Sequence, residues 1–440
     1  MARPPSDSRP LPVPSSRISR LTRLSTMTAG VAGNMALQGA AELSRGKRPQ
    51  FRDLLMTPAN MSRVADQLAK MRGAAMKVGQ LVSMDTGDVL PPELSAIFAR
   101  LRDDAHFMPP AQLKKVLAAH WPKGWLGQFT TFDVRPIAAA SIGQVHRART
   151  RDGRDMAIKV QYPGVAQSID SDVANVGTLV RMSGLLPKGF ELAPYLEEAR
   201  KQLHDETDYA LEGDYLREFG TLLAGDNRYI VPQLYNDWTT PGILAMEFIK
   251  GDPIESAANA PEAMRNAIAH GLIELLLREL FEFGVMQTDP NFANYRYDPA
   301  TGQIILLDFG ATRRLGPQIT DQYRRLMCAG LNADRDALDA ICLEIGFYLP
   351  DTAPAHRDQI LRMMDIVFAP LRADTPFDLA DTVMPRRMQD EGRALAGAGF
   401  IPPPLPIDAL FLQRKFGGIF LLCAKLRATV DVRALLERFV

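Results

Sequence analysis

Three short stretches of the chain carry residues whose types and spacing could handle a polyphosphate. In Met156-Ala157-Ile158-Lys159-Val160, alternate side chains of a strand would share a face. Ala157, Lys159 and Gln161 then point one way and Met156, Ile158 and Val160 the other. Ala157 is small enough for a flat base to approach, and Lys159 could reach phosphate oxygens as a point charge. A lysine on a strand is more commonly a solvated edge residue, so this stretch is a weak signal alone. The second stretch is Gln287-Thr288-Asp289-Pro290-Asn291-Phe292-Ala293-Asn294, with Asp289 and Asn294 five apart. The third is Leu306-Leu307-Asp308-Phe309-Gly310, with Asp308 lying 14 beyond Asn294 across a hairpin that turns at Asp298–Gly302. Such a hairpin brings Asn294 and Asp308 together, two hard oxygen ligands able to hold Mg²⁺ on a polyphosphate.

The D-x-x-x-x-N loop and D-F-G have the spacing found in protein kinases. D-F-G alone is common by chance; joined to D-x-x-x-x-N, the hairpin and an upstream A-I-K strand, it is a specific signal. Between Asp205 and Asp214 lie five carboxylates in ten residues with no base among them. Like charges repel, so either this is a solvent-washed helix face or something cationic answers it. Asp208 and Glu212 are four apart and would share a helical face, and the kinase-like reading makes Glu212 the partner that positions Lys159. Where a kinase would carry its glycine-rich phosphate loop, this chain has Ala138, Ala139 and Ala140 before Ser141, and only Gly143 remains. Alanine lacks glycine's freedom at positive φ, so this loop should be stiffer and offer fewer inward N–H groups.

These residues need elements to hold them. Val64, Leu68, Met71, Ala75, Val78 and Val82 form one apolar helical stripe, with Lys77 and Gln80 off it and three apart. Pro91 and Pro92 break the chain before another helix through Leu94–Leu101. From about Thr130 to Gln161 the period changes to two, and Arg151-Asp152-Gly153-Arg154 reads as the turn between paired strands near Gln144–Ala148 and Met156–Gln161. Helical segments follow to about Leu223. Short strands come next near Ile230–Val231 and Gly242–Ile249, then a long apolar helix around Ala267–Phe283. The second hairpin, Asn294–Tyr297 with Ile304–Leu307, precedes a mostly helical remainder. The order predicts helices, a small strand-rich lobe, then a helix-rich lobe.

The 440 residues balance 51 Lys and Arg against 51 Asp and Glu, which argues against a nucleic-acid-coating protein. With 46% apolar and 23% charged residues the composition is that of a globular protein. Cys328, Cys342 and Cys423 are odd in number and far apart, neither a disulfide framework nor a zinc pattern. No segment reads as a membrane span: the longest candidate, Asn266–Met286, carries Glu274, Arg278, Glu279 and Glu282. The first 25 residues are a basic arm with five arginines against Asp7. Within it Ile18, Leu21 and Leu24 alternate with Arg17, Arg20 and Arg23, which suits either a surface helix packed on the body or one lying on an anionic membrane.

Taken together, the chain resembles the UbiB/ADCK family of atypical kinase-like ATPases, the group tied to coenzyme Q biosynthesis. The marks stand in the family's order: Lys77-Val78-Gly79-Gln80 (K-x-G-Q), the alanine-rich loop Ala138 to Gln144, the A-I-K strand, Glu206-Thr207-Asp208 with Glu212 following, D-x-x-x-x-N and D-F-G. The resemblance runs from about Phe51 to the C-terminus; Gln161–Val173, Leu306–Arg313 and Arg414–Leu426 resemble the branch with the mitochondrial coenzyme Q proteins. One departure is that many members read H-x-D-P-H-P-G-N where this chain begins with Gln287, so any role for that histidine does not carry over.

The resemblance implies an α+β, two-lobed protein-kinase-like fold with a family-specific N-terminal helical extension over the active site. Its expected parts are the basic arm (1–50), the extension with K-x-G-Q (51–125), an N-lobe with a helical insert (126–248) and a helical C-lobe (249–440). It implies that Lys159 with Glu212 orients the phosphates of ATP, that Asn294 and Asp308 bind Mg²⁺, and that Asp289 sits where the base belongs. The alanine loop (Ala138, Ala139, Ala140, Ser141) and Ala157 would line the nucleotide, while Glu247 and Phe248 would contact adenine through the backbone at the hinge. Lys77 and Gln80 would fold over the site, with Lys77 answered by Glu206 and Asp208. The function implied is an Mg-ATPase acting as an auxiliary factor in ubiquinone biosynthesis. Its expected partners are ATP and ADP, quinone-precursor lipids, an anionic membrane and other biosynthetic enzymes, with no nucleic acid. Its expected place is cytoplasmic and peripheral to the inner membrane, or alternatively on the mitochondrial matrix face. After Asp308-Phe309-Gly310 there is no A-P-E and no long activation segment to hold a peptide, which favours the ATPase. The rivals are a true phosphotransferase, since Asp289 is present, and a non-catalytic nucleotide- or lipid-binding scaffold.

Overall fold

The computed structural model describes residues 71–86, 107–183, 191–373 and 375–440. The basic arm, the stripe residues Val64 and Leu68, and the helix expected through Leu94–Leu101 lie outside the described residues. The chain forms two compact units: the described residues up to Asp214 with Gln233–Phe248, and Tyr215–Pro232 with Ile249–Val440. Segment 215–232, expected within 126–248, therefore clusters with the second unit.

The first unit is built on an antiparallel sheet. Its strands are β1 (Phe129–Phe132), β2 (Ala138–Ala139), β3 (Gly143–Thr150), β4 (Asp155–Gln161) and β5 (Ile243–Glu247), with the path β1-β3-β4-β5 and β2 paired to β3. β3 and β4 are joined through the Arg151–Arg154 turn, where Gly153 takes φ 96°, a left-handed conformation that glycine adopts without penalty. β4 is central, hydrogen-bonded to β3 on one side and β5 on the other, and is buried on both faces. Met156, Ile158 and Val160 enter a core with Trp121, Phe129, Trp238, Ile243 and Ala245. Helix α1 (Arg72–Thr86) packs on α3 (Val165–Ser183) and α4 (Ala193–Glu206), and the intervening helix α2 (Pro110–His120) packs on β4. The described part of the predicted stripe, Met71, Ala75, Val78 and Val82, is buried.

His146 on β3 is fully buried. Gln144 spends its Oε1 on the Met108 N–H at 2.8 Å, so its Nε2 donates to His146 Nε2 at 2.8 Å. His146 Nδ1–H is then left to donate to the Asp133 carbonyl at 2.7 Å. That arrangement needs a neutral ring, and burial holds the imidazole down at about 4 against an ordinary 6.5. The unfolded chain binds this proton between about pH 6.5 and pH 4 while the folded one does not. Stability is therefore complete above about pH 6.5 and falls as pH drops toward 4, by up to about 3 kcal/mol. Urea unfolding of wild type and His146→Gln at pH 7.5 and 5.0 checks this: wild type should lose about 2 kcal/mol more than the variant between the two. Equal losses would refute it.

The second unit is mainly helical. Helix α6 (Glu262–Arg278) is its buried axis and continues into a π turn, Glu279–Phe283. Gly284 at φ 63° then turns the chain into β6 (Val285–Gln287). β7 (Tyr295–Tyr297) and β8 (Ile304–Leu306) form the second hairpin, flanked by the short strands Tyr229–Ile230 and Asp252–Pro253. β9 (Thr312–Arg314) pairs back to β6. Helices α7 (Pro317–Leu331), α8 (Arg335–Ile345), α9 (Pro354–Leu371), α10 (Val383–Gly397) and α11 (Ile407–Lys425) follow, with α11 packed on α6, and a short helix at Val432–Leu436 comes last.

Candidate functional site

In the first unit, Lys159 is not the solvated edge lysine that a strand position commonly holds. Its Nζ donates to both Glu212 carboxylate oxygens, at 2.8 and 2.9 Å, and the two side chains are 6% and 2% exposed. The Tyr209 ring lies beneath, with Nζ 5.1 Å from its centroid. Two charges taken out of water need such geometry, because desolvation otherwise outweighs their attraction. Lys159 is thereby fixed as a cation on the same strand face as Ala157.

The alanine loop is tied to itself. Ala138 and Ala139 pair with Val145 and Gln144 across β2 and β3, and the Ala140 N–H donates to the Gly143 carbonyl at 2.8 Å. That N–H is thereby engaged within the loop. A Cβ at Gly143 would sit 2.5 Å from the Val160 carbonyl oxygen and 2.7 Å from Tyr209 Oη, so only glycine fits between β3, β4 and Tyr209. Helix α1 approaches the same loop: a Cβ at Gly73 would lie 3.2 Å from Ile142 and 3.8 Å from the Ser141 carbonyl oxygen.

The acidic run is not one helix. Helix α4 ends at Glu206, and α5 (Tyr209–Leu222) begins after Thr207 and Asp208. Lys77 pairs with Glu206, as expected from the resemblance. Asp208, expected beside Glu206 opposite Lys77, instead accepts the N–H groups of Ala210 (3.0 Å) and Leu211 (3.3 Å) as the cap of α5. Four backbone N–H groups at a helix start lack partners, and a carboxylate there satisfies two of them. Gln80 is half-buried on α1.

At the end of β5 the Glu247 N–H donates to the Gln233 carbonyl (2.8 Å) and the Phe248 N–H to the Asp155 carbonyl (2.9 Å). Both N–H groups are thus engaged, so the backbone contact with adenine expected of these residues would fall to their carbonyl oxygens. Arg147 covers the Phe248 ring at 4.2 Å.

In the second unit, the hairpin brings the expected residues onto one short stretch. Asn294 Nδ2 donates to Asp289 Oδ2 and to the Asp289 carbonyl, each at 3.1 Å, and the Leu307 N–H donates to the Asn294 carbonyl at 3.0 Å. Asp289 can only accept here, so the Asn294 amide nitrogen must face it and Oδ1 points elsewhere, available to a cation. Asp308 Oδ1 accepts the Gly310 N–H at 3.0 Å. Phe309 is buried and packs on Phe219 with ring centroids 5.0 Å apart. An amide oxygen and a carboxylate are a donor set that fits Mg²⁺, which takes one or two protein oxygens and draws its other ligands from phosphate and water.

Residues beyond the sequence motifs complete this loop. Arg414 Nη2 donates to Asp289 Oδ1 at 2.6 Å. Lys415, buried, donates to Tyr295 Oη (3.0 Å) and Gln287 Oε1 (3.3 Å) and pairs with buried Glu279 (3.2 Å). Burial pushes the Glu279 carboxyl above its ordinary value, and Lys415 works against that. Gln287, at the position where many members of the resembling family carry histidine, thus serves as an uncharged acceptor for a buried ammonium. The available signal was an Arg-Lys pair in the middle of a mostly apolar helix.

The profile of the ABC1 atypical kinase-like domain matches residues 100–342. Atypical kinase COQ8, mitochondrial, from Saccharomyces cerevisiae is 37% identical over 431 residues, covering 97% of this chain and 85% of that protein. Atypical kinase COQ8B, mitochondrial, from Rattus norvegicus is 36% identical over 436 residues, covering 98% and 81%. Among solved structures, Rv3197 from Mycobacterium tuberculosis in complex with erythromycin matches with a TM-score of 0.60 and 23% identity, over 86% of this chain and 96% of that one. That likeness speaks for the fold.

Proposed function

This chain belongs to the ABC1 atypical kinase-like family, the UbiB/ADCK group, and from that footing we propose that it is an Mg-ATPase acting as an auxiliary factor in coenzyme Q biosynthesis. The observation that carries the reading is Lys159: a lysine on a central strand, buried and held by both oxygens of Glu212. A structural role alone would be met more cheaply by an apolar pair.

In this reading Lys159 binds phosphate oxygens of ATP, and Glu212 fixes its direction. Asn294 Oδ1 and the Asp308 carboxylate hold Mg²⁺, which when bound neutralises charge on the phosphates. Asp289 orients the attacking water and takes its proton as ADP leaves. Its carboxylate has about four acceptor positions, so Arg414 and Asn294 leave room for that water. The stiff alanine loop leaves the phosphates with few backbone donors, which suits slow turnover. Lys77, held by Glu206, keeps helix α1 against the loop.

The relatives are named mitochondrial, and among the described residues no helix is long and apolar enough to cross a membrane. Peripheral attachment is our reading: the arm's Ile18, Leu21 and Leu24 would enter the headgroup region, with Arg17, Arg20 and Arg23 on anionic lipid. The face is cytoplasmic at an inner membrane, or the matrix side in a mitochondrion. The clients are quinone-precursor lipids or the enzymes that process them.

The test is magnesium-dependent ATP turnover with and without anionic liposomes and a quinone-precursor mimic. We expect slow basal turnover that rises at least about threefold with liposomes and the mimic, because anchoring the protein beside a membrane-dissolved client raises that client's effective concentration. Turnover that ignores both additions would overturn the lipid part, and none in any condition would overturn the ATPase.

A further inference from the structure

Helix α11 meets the loop that carries Asp289 at four points, although 125 residues separate Arg414 from Asp289. Arg414 grips the Asp289 carboxylate, and Lys415 anchors Gln287 and Tyr295 on either side of it. A Cβ at Gly418 would overlap the Pro290 ring, so glycine is what lets the loop lie against the helix. Lys425 Nζ lies 5.4 Å from the centroid of the Phe292 ring. Positions 414, 418 and 425 are four and seven apart, one face of a helix. Within the loop, Thr288 is bonded to the Ala311 carbonyl and Asn294 to Asp289 around the single turn Phe292–Asn294, and α11 supplies the contacts from the other side.

We propose that α11 is the template for this loop and that Arg414 is the positioning residue for Asp289. With Arg414 on Oδ1 and Asn294 on Oδ2, the carboxylate is held at both oxygens, 2.6 and 3.1 Å from its donors. Its rotation about the Cβ–Cγ bond is thereby stopped. Arg414 is partly exposed, so replacing it opens no core cavity, and its loss should act on the orientation of Asp289 more than on folding. The inference rests on Asp289 acting in phosphoryl transfer.

The full chain is assayed as wild type, Arg414→Gln, Arg414→Lys, Gly418→Ala, Asp289→Asn and the Asp289→Asn/Arg414→Gln double variant, with Mg-ATP affinity measured by calorimetry. Arg414→Gln is expected to lower kcat about 10- to 30-fold with KM for ATP and calorimetric affinity within twofold, and Arg414→Lys to recover part of that loss. Gly418→Ala should lower kcat with Arg414 intact, and its result stands even if Arg414→Gln fails to fold. In the Asp289→Asn background, removing Arg414 should cost less than twofold, because it acts through a carboxylate already gone. If Asp289→Asn lowers turnover but Arg414→Gln does not, or if the two losses multiply, the positioning role is overturned while the ATPase reading stands. If Asp289→Asn turns over like wild type, the role of Asp289 fails, and this inference with it.

Discussion

Asp308→Asn is expected to lower magnesium-dependent ATP turnover by at least about 100-fold in kcat/KM, which is roughly 3 kcal/mol of transition-state stabilisation. The substitution is nearly isosteric. Asparagine keeps an oxygen able to accept the Gly310 N–H that Asp308 accepts at 3.0 Å, so the turn should persist and the melting temperature should shift by no more than about 2 °C. What disappears is one negative charge from a two-oxygen donor set, and Mg²⁺ binds through charge as much as geometry. The loss should shrink at raised magnesium, since a weakened site is partly refilled by mass action. A coupled ATPase assay across a magnesium titration, run beside a thermal melt, reads all of this. Turnover within threefold of wild type at every magnesium concentration would favour a non-catalytic scaffold instead.

How far the sequence could be read depended on whether the deciding force was local. Lys159, Asn294 and Asp308 were legible because strand alternation and a short hairpin fix their directions within a few residues. The strands around them were legible for the same reason. The break in the acidic run was harder: helix period alone continues through Thr207, and only the demand of α5 for an N-terminal acceptor recruits Asp208 away from Lys77. The engaged N–H groups of Glu247 and Phe248 depend on the neighbours of β5, which spacing does not reveal. Arg414, Lys415 and Gly418 were least legible. The segment containing them stood out only as a family likeness, because their partners lie more than a hundred residues away and are chosen by packing of α11 on α6 and the loop.

The buried pair in the first unit gives the sharpest separation of stability from activity. Glu212→Ala should cost about 3 to 5 kcal/mol of unfolding free energy, because it leaves the Lys159 ammonium in a dry interior without its carboxylate. The Tyr209 ring, 5.1 Å from Nζ, offsets part of this and favours the lower end of that range. Removing both charges should do the opposite: Lys159→Met/Glu212→Leu fills the same space with apolar side chains and is expected to be at least as stable as wild type. Yet it should lose at least about 100-fold in ATP turnover, since the cation meant for phosphate and the carboxylate that aims it are both gone. A chain under selection for stability alone would gain from the apolar pair, so a stable, inactive double variant would mean the ion pair is kept for its chemistry. Denaturant unfolding and turnover measured on the same three proteins decide it. A double variant as unstable as Glu212→Ala would make the pair structural, and one that still hydrolyses ATP would remove Lys159 from the mechanism.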